Sequence, residues 1–140
     1  MSKDKIEDAI YTRRYIYNFH YHLIWVTKYR NPTFTSEALV NEMKEILTTV
    51  AADNEIVIEH MEVMPDHVHL LLTCSPQFFI PKAVKIFKGN TARWLFLRHP
   101  ELKSELWGGH LWDPSYCIVT VSDRSEQQVR EYIRNQKQKN

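Results

Sequence analysis

The sequence predicts an α+β domain whose strands and helices follow one another in the order β-α-β-β-α-β-α. Runs of aromatic and β-branched residues, the longest at 17–29, have the composition of strands. Between the strands lie two segments with apolar residues at helical spacing, at 39–50 and 80–95. The length of 140 residues suits one domain, residues 1–140, folded around its own core.

The first half of the chain is predicted as an arm, a strand and a helix. Residues 1–13 are polar, and we expect a flexible arm there. The first strand covers 17–29, and Thr35 or Ser36 is the expected N-cap of the helix that follows. The apolar stripe of that helix consists of Leu39, Met43, Ile46, Leu47 and Val50.

The second half is predicted as a hairpin, a helix, a fourth strand and a last helix. Strands at 56–64 and 67–74 are joined by a turn at "MPD", because proline lacks the N–H that a strand ladder uses. The second helix is expected at 81–99, and the fourth strand within 110–122 with an interruption at Asp113-Pro114. The last helix is expected at 123–137, where Asp123 and Glu126 resemble a capping box.

The order of these elements predicts the arrangement of the sheet. Right-handed β-α-β crossovers place the first six elements in one four-stranded sheet with both helices on one face. This is the ferredoxin-like pattern, which RNA-recognition (RRM-like) domains share. The last helix is an addition, and the second face of the sheet is exposed unless a partner or that helix covers it.

Composition narrows the class of protein. No apolar stretch reaches the roughly 18–20 residues of a membrane-spanning helix, and the charged N-terminus lacks an apolar signal segment. Cys74 and Cys117 form no CxxC motif and fit a reducing cytoplasm. We therefore expect a cytoplasmic protein without a membrane partner. The net charge of +1 is uninformative as a total, so a nucleic-acid site needs local positive charge.

Two histidines stand out in the third strand. His67 and His69 are two residues apart and so point to the same face, whereas Val68, Leu70 and Leu72 point to the opposite one. Neutral imidazole is the commonest nitrogen ligand for metals, but two histidines alone hold a divalent ion weakly. An isolated H-x-H is more often a pair of polar residues on a solvated face, so a metal site requires a third ligand.

The last helix offers a third ligand and a nucleophile. Tyr132 and Gln136 are four residues apart and share a helix face. The Gln136 carbonyl could bind a hard metal ion while the Tyr132 hydroxyl attacks a phosphodiester, which would give a phosphotyrosine and a free 3′-hydroxyl. Taken alone, Tyr132 is more simply explained as a packed ring on an amphipathic helix.

Several motifs together resemble a known family. "MPDHVHLLL", the Tyr-x-x-x-Gln of the last helix, "VTKYR" and "LWDPSYCIVTVS" resemble the single-tyrosine HUH transposases, the TnpA-type enzymes of insertion sequences that move as single-stranded DNA. The resemblance extends from about Tyr17 to Gln136 and includes the related repeat-associated tyrosine transposases.

The resemblance implies a role for each motif residue. His67 and His69 would bind Mg²⁺ or Mn²⁺ with Gln136 as third ligand, and Tyr132 would form a 5′-phosphotyrosine link. It also implies a homodimer with sheets joined edge to edge, single-stranded DNA hairpins at element ends as partners, no organic cofactor, and association with the nucleoid when DNA is bound.

Two clusters are candidates for DNA contact. Basic residues with an interleaved aromatic suit phosphates and a stacked base; the candidates are Lys28, Tyr29, Arg30, Lys82, Lys85 and Lys88. The alternative for each is a solvated charged surface.

Two other classes of protein remain open. A non-catalytic ferredoxin-like nucleic-acid-binding protein would share the element order, but the third strand lacks the aromatic signature of RNA-recognition domains. A zinc site is disfavoured because the cysteines lack zinc-knuckle spacing and no H-E-x-x-H occurs.

Overall fold

The computed structural model describes residues 10–11, 16–17, 19–74, 80–105, 109–121 and 125–136. In chain order, its strands and helices are β1 Ile10–Tyr11, β2 Ile16–Tyr17, β3 Phe19–Val26, a 3-10 turn Lys28–Arg30, α1 Glu37–Asp53, β4 Val57–Met64, β5 His67–Cys74, α2 Ile80–Arg98, α3 Pro100–Glu105, β6 Cys117–Thr120 and α4 Ser125–Asn135. The predicted α+β class is confirmed. Within the described residues, no helix is long and apolar enough to cross a membrane.

The main sheet has four strands in the order β4-β5-β3-β6, and every neighbouring pair is antiparallel. Ile24 in the central strand β3 lies opposite His69 of β5 on one side and Cys117 of β6 on the other. Residues opposite one another in a ladder share a face, so these three side chains lie on the same side of the sheet.

The core lies between the other face of the sheet and the helices α1 and α2. It contains Leu23, Trp25, Val68 and Leu70 from the sheet, as the alternation within β5 predicts. Trp25 stacks on Phe87 of α2 with ring centroids 5.9 Å apart and meets Trp112 edge-on at 5.7 Å. The apolar stripe of α1 is buried in this layer except for Leu39, which is partly exposed.

The chain turns sharply at the end of β3. The first strand, predicted to run to residue 29, ends at Val26 because Lys28–Arg30 form a 3-10 turn in which Tyr29 and Arg30 both have φ 57°. Asp66 O accepts a hydrogen bond from Thr27 N at 2.9 Å, and Leu111 O accepts one from Lys28 N at 2.9 Å. These long-range bonds replace the continued strand pairing that composition suggested.

The ends of other elements also differ from prediction. The fourth strand, β6, is shorter than expected. Trp112 lies before the interruption predicted at Asp113-Pro114, and it pairs with Thr27 in an isolated bridge rather than within β6. The last helix is described over Ser125–Asn135, and Asp123 lies outside the described residues. Ser36 is confirmed as the cap of α1, since its hydroxyl accepts a hydrogen bond from Leu39 N.

The N-terminal arm is described only in part. Ile10–Tyr11 pairs with Ile16–Tyr17 in a separate two-stranded sheet, so two residues of the predicted arm form a strand. The rest of the segment 1–13 lies outside the described residues.

Helix α4 packs against β3 and β6 on the face opposite α1 and α2. Val129 of this helix is buried, as are Ile24 and Val26 on the sheet beneath. The last helix thus covers part of the face that would otherwise be exposed, and it is the face that carries the two histidines.

Candidate active site

His67 is held by the residue that precedes it. Its Nδ1 lies 2.9 Å from Asp66 Oδ1, and its side chain is 14% exposed. Burial would raise the pKa of Asp66, but hydrogen bonds from His67 and Arg30 and the charge of Arg30 lower it. An ionised carboxylate beside Nδ1 keeps the proton on that nitrogen, so the Nε2 lone pair of His67 is available to a ligand.

His69 has a second histidine as its neighbour. Its Nε2 lies 2.8 Å from His22 Nδ1, and its Nδ1 lies 3.5 Å from Glu62 Oε1. Burial lowers the pKa of His69, and the charge of His22 lowers it further. The hydrogen bond between His22 Nδ1 and His69 Nε2 can run in either direction, depending on the tautomers of the two rings.

His22 is a site residue that sequence reasoning missed. Burial lowers its pKa, while the charge of Glu126 raises it. The available signal was a second H-x-H in "HYH", at residues 20–22. That pattern places His20 and His22 on one face, but only the register of β3 against β5 brings His22 to His69.

The Tyr132 hydroxyl belongs to a hydrogen-bonded network on the loop before β6. Its hydroxyl lies 2.9 Å from Ser115 Oγ, and Ser115 Oγ donates to Asp113 Oδ2 at 2.7 Å. Burial raises the pKa of Tyr132, whereas the hydrogen bond with Ser115 and the charge of Arg30 lower it. Gln136 shares the network, since its Oε1 lies 3.5 Å from Ser115 Oγ. Tyr132 and Gln136 were predicted to point to the same side, and both side chains do contact the same serine.

Arg30 connects the histidine hairpin to the tyrosine helix. Its Nε and Nη2 lie 2.9 and 2.7 Å from Asp66 Oδ2. Its Nη1 donates to the backbone oxygens of Ile133 and Gln136 at 2.8 and 3.0 Å. With a side chain only 15% exposed, the guanidinium charge is engaged inside the protein. The sequence predicted Arg30 as a DNA contact, and that role stays a prediction. In the structure its side chain bonds to Asp66 and to the end of α4.

The site has two halves on one face of the sheet. His67 and His69 lie on β5, while Tyr132 lies over β6 beside Ser115. Neighbouring strands are about 4.8 Å apart, so the backbones of His69 and Cys117, on either side of Ile24, are about 10 Å apart. The Gln136 amide oxygen is directed to Ser115. The chain Gln136–Arg30–Asp66–His67 joins the halves through hydrogen bonds.

The types of side chain near His67 and His69 limit which metal ion they could bind. Among the described residues, no three His, Cys, Asp or Glu side chains are grouped as a metal site would require. A divalent ion bound by His67 and His69 would therefore need a third ligand of another type, and a carboxamide such as Gln136 is one candidate. A set of one amide oxygen and two imidazole nitrogens suits a hard or borderline divalent ion, whereas zinc sites of the thiolate type use cysteine sulfur.

The predicted basic residues fall into two groups. Lys82 and Lys85 are exposed on α2, and Lys28 Nζ lies 5.2 Å from the ring centre of Tyr29. Lys88 differs, because its Nζ donates to the backbone oxygens of Asp113 and Ser115 at 2.6 and 3.0 Å. Burial lowers the pKa of Lys88, and the charge of Asp113 opposes that effect. Lys88 thus supports the loop that carries Ser115.

Comparison with known proteins identifies the family. A family model described as "Transposase IS200 like" matches residues 15–136. The chain is 50% identical over 127 residues to the ISDra2 transposase TnpA of Deinococcus radiodurans, a match covering 91% of this chain and 90% of that protein. It is 25% identical over 120 residues to the transposase for insertion sequence element IS200 of Salmonella typhimurium, covering 86% and 78%.

Solved structures agree with these sequence relatives. A crystal structure of a transposase from Deinococcus radiodurans has a TM-score of 0.87 at 45% identity and covers 93% of this chain and 99% of that one. A REP-associated tyrosine transposase bound to a REP hairpin has a TM-score of 0.54 at 14% identity, covering 86% and 67%, and this likeness concerns the fold alone. The resemblance inferred from the motifs is confirmed: the chain belongs to the IS200-like, TnpA-type transposase family.

Proposed function

We propose that this transposase cleaves and rejoins single-stranded DNA through Tyr132, with Mg²⁺ or Mn²⁺ held by His67, His69 and Gln136. The observation that carries the proposal is the hydrogen-bonded link from His67 through Asp66 and Arg30 to the end of the helix that bears Tyr132. A histidine that binds the metal and a tyrosine that attacks the same phosphate must be held at a fixed distance and orientation to each other.

The metal ligands are proposed from donor chemistry and orientation. Asp66 leaves the His67 Nε2 lone pair available. His69 lies on the same face two residues on, and it would bind the ion through Nε2 in place of its contact with His22. When bound, a divalent ion polarises a phosphodiester and stabilises the charge that develops during cleavage. The carboxamide of Gln136 supplies the third donor after it turns from Ser115.

The reaction proposed for Tyr132 conserves bond energy. Its phenol oxygen bonds to the scissile phosphorus, the 3′ oxygen leaves, and a 5′-phosphotyrosine link results. A free 3′-hydroxyl can later attack that link, so strands are rejoined without another energy source. This suits an enzyme that moves a DNA segment rather than one that degrades DNA.

The proposed DNA partners are single-stranded hairpins at the ends of an insertion sequence. A REP-associated tyrosine transposase of similar fold is described as bound to a REP hairpin. In this chain Lys28, Tyr29, Lys82 and Lys85 are the surface candidates for phosphates and bases. We also propose that the protein is a homodimer and acts in the cytoplasm, at the nucleoid when DNA is bound.

The test of the nucleophile is the variant Tyr132→Phe, which retains the ring and removes the hydroxyl. The protein is incubated with Mg²⁺ and single-stranded DNA from the flanks of its gene, and covalent protein–DNA product is measured on a denaturing gel. We expect wild type to form the adduct and Tyr132→Phe to lose at least about 10³-fold in its rate of formation. Hairpin binding is expected to be unchanged.

Tyr116→Phe is the matched control, because Tyr116 is also partly buried but packs against the core. It is expected to form the adduct at the wild-type rate. Normal cleavage by Tyr132→Phe would show that the nucleophile is assigned wrongly. DNA binding by wild type without any cleavage would instead indicate a non-catalytic binding protein.

A further inference from the structure

We propose that Ser115 and Asp113 form the proton path for Tyr132: as the phenol oxygen attacks phosphorus, its proton passes to Ser115 and the Ser115 proton passes to Asp113. The inference rests on the proposed role of Tyr132 as nucleophile. It adds a proton acceptor to that role, made of residues on the loop before β6.

The direction of the path follows from counting protons. A serine hydroxyl has a single hydrogen to donate. Ser115 Oγ lies 2.7 Å from Asp113 Oδ2, an ionised carboxylate that can only accept, and 3.5 Å from Gln136 Oε1. The Ser115 hydrogen is therefore directed to Asp113, the nearer and charged acceptor. The 2.9 Å contact between Ser115 Oγ and the Tyr132 hydroxyl must then be donated by Tyr132. The phenolic proton already lies on the path to the carboxylate.

The loop that carries the path is held in place by its own contacts. Asp113 Oδ2 also accepts a hydrogen bond from Ser115 N at 3.0 Å, and Asp113 N donates to Val26 O of the central strand at 2.9 Å. Lys88 Nζ donates to the backbone oxygens of both Asp113 and Ser115. Because these bonds fix the backbone on both sides of Pro114, the two side chains are oriented before substrate binds.

The environment of Tyr132 creates a need for such a path. A phenol is mostly neutral at pH 7, and the burial of Tyr132 makes its charged form still less favourable. Attack by a neutral phenol requires that the proton leave as the new bond forms. Asp113 is placed to receive it through one hydroxyl. The negative charge of Asp113 raises the pKa of Tyr132, and the charge of Arg30 opposes that effect only in part.

The proton moves along the same path in cleavage and, in the opposite direction, in rejoining. In cleavage the Tyr132 oxygen–phosphorus bond forms and the phosphorus–3′ oxygen bond breaks; the 3′ oxygen leaves with the electron pair and takes a proton from solvent. Asp113 ends protonated. In rejoining, the 3′-hydroxyl gives its proton to solvent and attacks, Asp113 returns its proton through Ser115, and Tyr132 leaves as a neutral phenol. A step that must run both ways benefits from an acceptor that can give the proton back.

The test compares Asp113→Asn with wild type in single-turnover formation of the covalent adduct. Asparagine can still accept from Ser115 through its amide oxygen, so the loop bonds survive while proton acceptance is lost. We expect the rate to fall by about 10²–10⁴-fold, the usual contribution of general base catalysis. The Kd for the same single-stranded oligonucleotide is expected to be unchanged.

Ser115→Ala breaks the path at its middle and is expected to show a similar loss of rate. Ser104→Ala is the matched control, because Ser104 lies on α3 and its hydroxyl donates to the backbone oxygen of Glu101 in that helix. Its adduct rate is expected to equal that of wild type. A wild-type rate in Asp113→Asn would overturn the path, although Tyr132→Phe could still show that Tyr132 is the nucleophile.

A second readout separates proton transfer from a disturbed loop. Replacing Tyr132 by a difluorotyrosine makes the phenolic proton easier to lose without changing the loop. In the Asp113→Asn background this replacement is expected to restore much of the lost rate, and in wild type it is expected to change the rate little. A defect that persists undiminished with the fluorinated phenol would contradict the path. If wild type forms no adduct at all, the proposed function fails and the path fails with it.

Discussion

At the residue scale, the two oxygens of Asp66 serve two different parts of the site. Oδ1 accepts the hydrogen bond from His67 Nδ1, and Oδ2 binds Arg30. The carboxylate therefore sets the tautomer of a proposed metal ligand and at the same time holds the guanidinium that reaches α4. Asp66, which precedes His67 in the sequence, thus contacts residues of both halves of the site.

Asp66→Asn tests the first of these roles. Partners that orient a metal-binding histidine typically change metal affinity by about 10–100-fold when they are altered. We expect the Kd for Mn²⁺, measured by isothermal titration calorimetry, to rise by about that factor in Asp66→Asn. Asp53→Asn, at an exposed aspartate of α1, should bind Mn²⁺ as wild type does. Equal affinity in all three proteins would contradict the role given to Asp66.

At the element scale, α4 depends on a few anchors. Val129 is buried against the sheet, and Arg30 binds the backbone oxygens of Ile133 and Gln136 at the end of the helix. The last carbonyls of a helix lack partners within it and carry partial negative charge, so a guanidinium there is favourable. Because Tyr132 lies on α4 and Gln136 directly follows that helix, this contact places two proposed site residues together.

The helices of the other layer are joined by a titratable contact. His99, directly after α2, lies 2.6 Å from Glu42 of α1 through its Nε2. The hydrogen bond to Glu42 raises the pKa of His99 and burial opposes that effect, while the charge of Glu42 and the contact with Glu101 add to the rise. A histidine whose folded-state pKa is raised stabilises the fold fully below its unfolded pKa of about 6.5. That contribution is lost as pH rises through the folded-state pKa.

A double-mutant cycle with His99→Gln and Glu42→Gln measures this contact. The free energy of unfolding, from urea denaturation, is compared for the four proteins at several pH values between about 5.5 and 9. We expect the coupling between the two residues to stabilise wild type at the acidic end and to decrease at the basic end. A coupling that is constant over this range, or that increases with pH, would contradict the assignment.

At the scale of the whole molecule, β4 and β6 are the edge strands of the four-stranded sheet, and neither pairs with a further strand among the described residues. Val57 at the β4 edge is 44% exposed, and Val121, just after β6, is 49% exposed. An edge strand presents unpaired backbone groups that another chain can bind. A C₂ dimer joined at one edge would satisfy those groups, which supports the proposed homodimer.

Sedimentation equilibrium tests the dimer, with an expected mass twice the 16.7 kDa of the chain. Val57→Lys and Val121→Lys are matched variants at opposite edges, each introducing a charge on the edge. We expect one of them to weaken the dimer, because a charge opposes pairing at the edge that is buried in it, and the other to leave it intact. A monomer at all concentrations would exclude the homodimer, and two unaffected variants would exclude joining at these edges.

Prediction from sequence succeeded where the relevant geometry is local. The shared faces of His67 with His69 and of Tyr132 with Gln136 follow from the repeats of a strand and a helix. It did not reveal the internal contacts of Arg30 and Lys88, whose role as DNA contacts stays a prediction. Their hydrogen-bond partners are backbone oxygens and a carboxylate, which leave no pattern in the residues nearby.

The sequence by itself determined the α+β class, the apolar face of each main element and the identity of the family, because periodicity and short motifs depend only on neighbouring residues. The tertiary structure alone decided that His22 meets His69 across 47 residues and that Arg30 reaches Ile133 across 103. Such contacts depend on which strands lie side by side and in which register. The folding of the whole chain sets both, because it must bury all the apolar faces together.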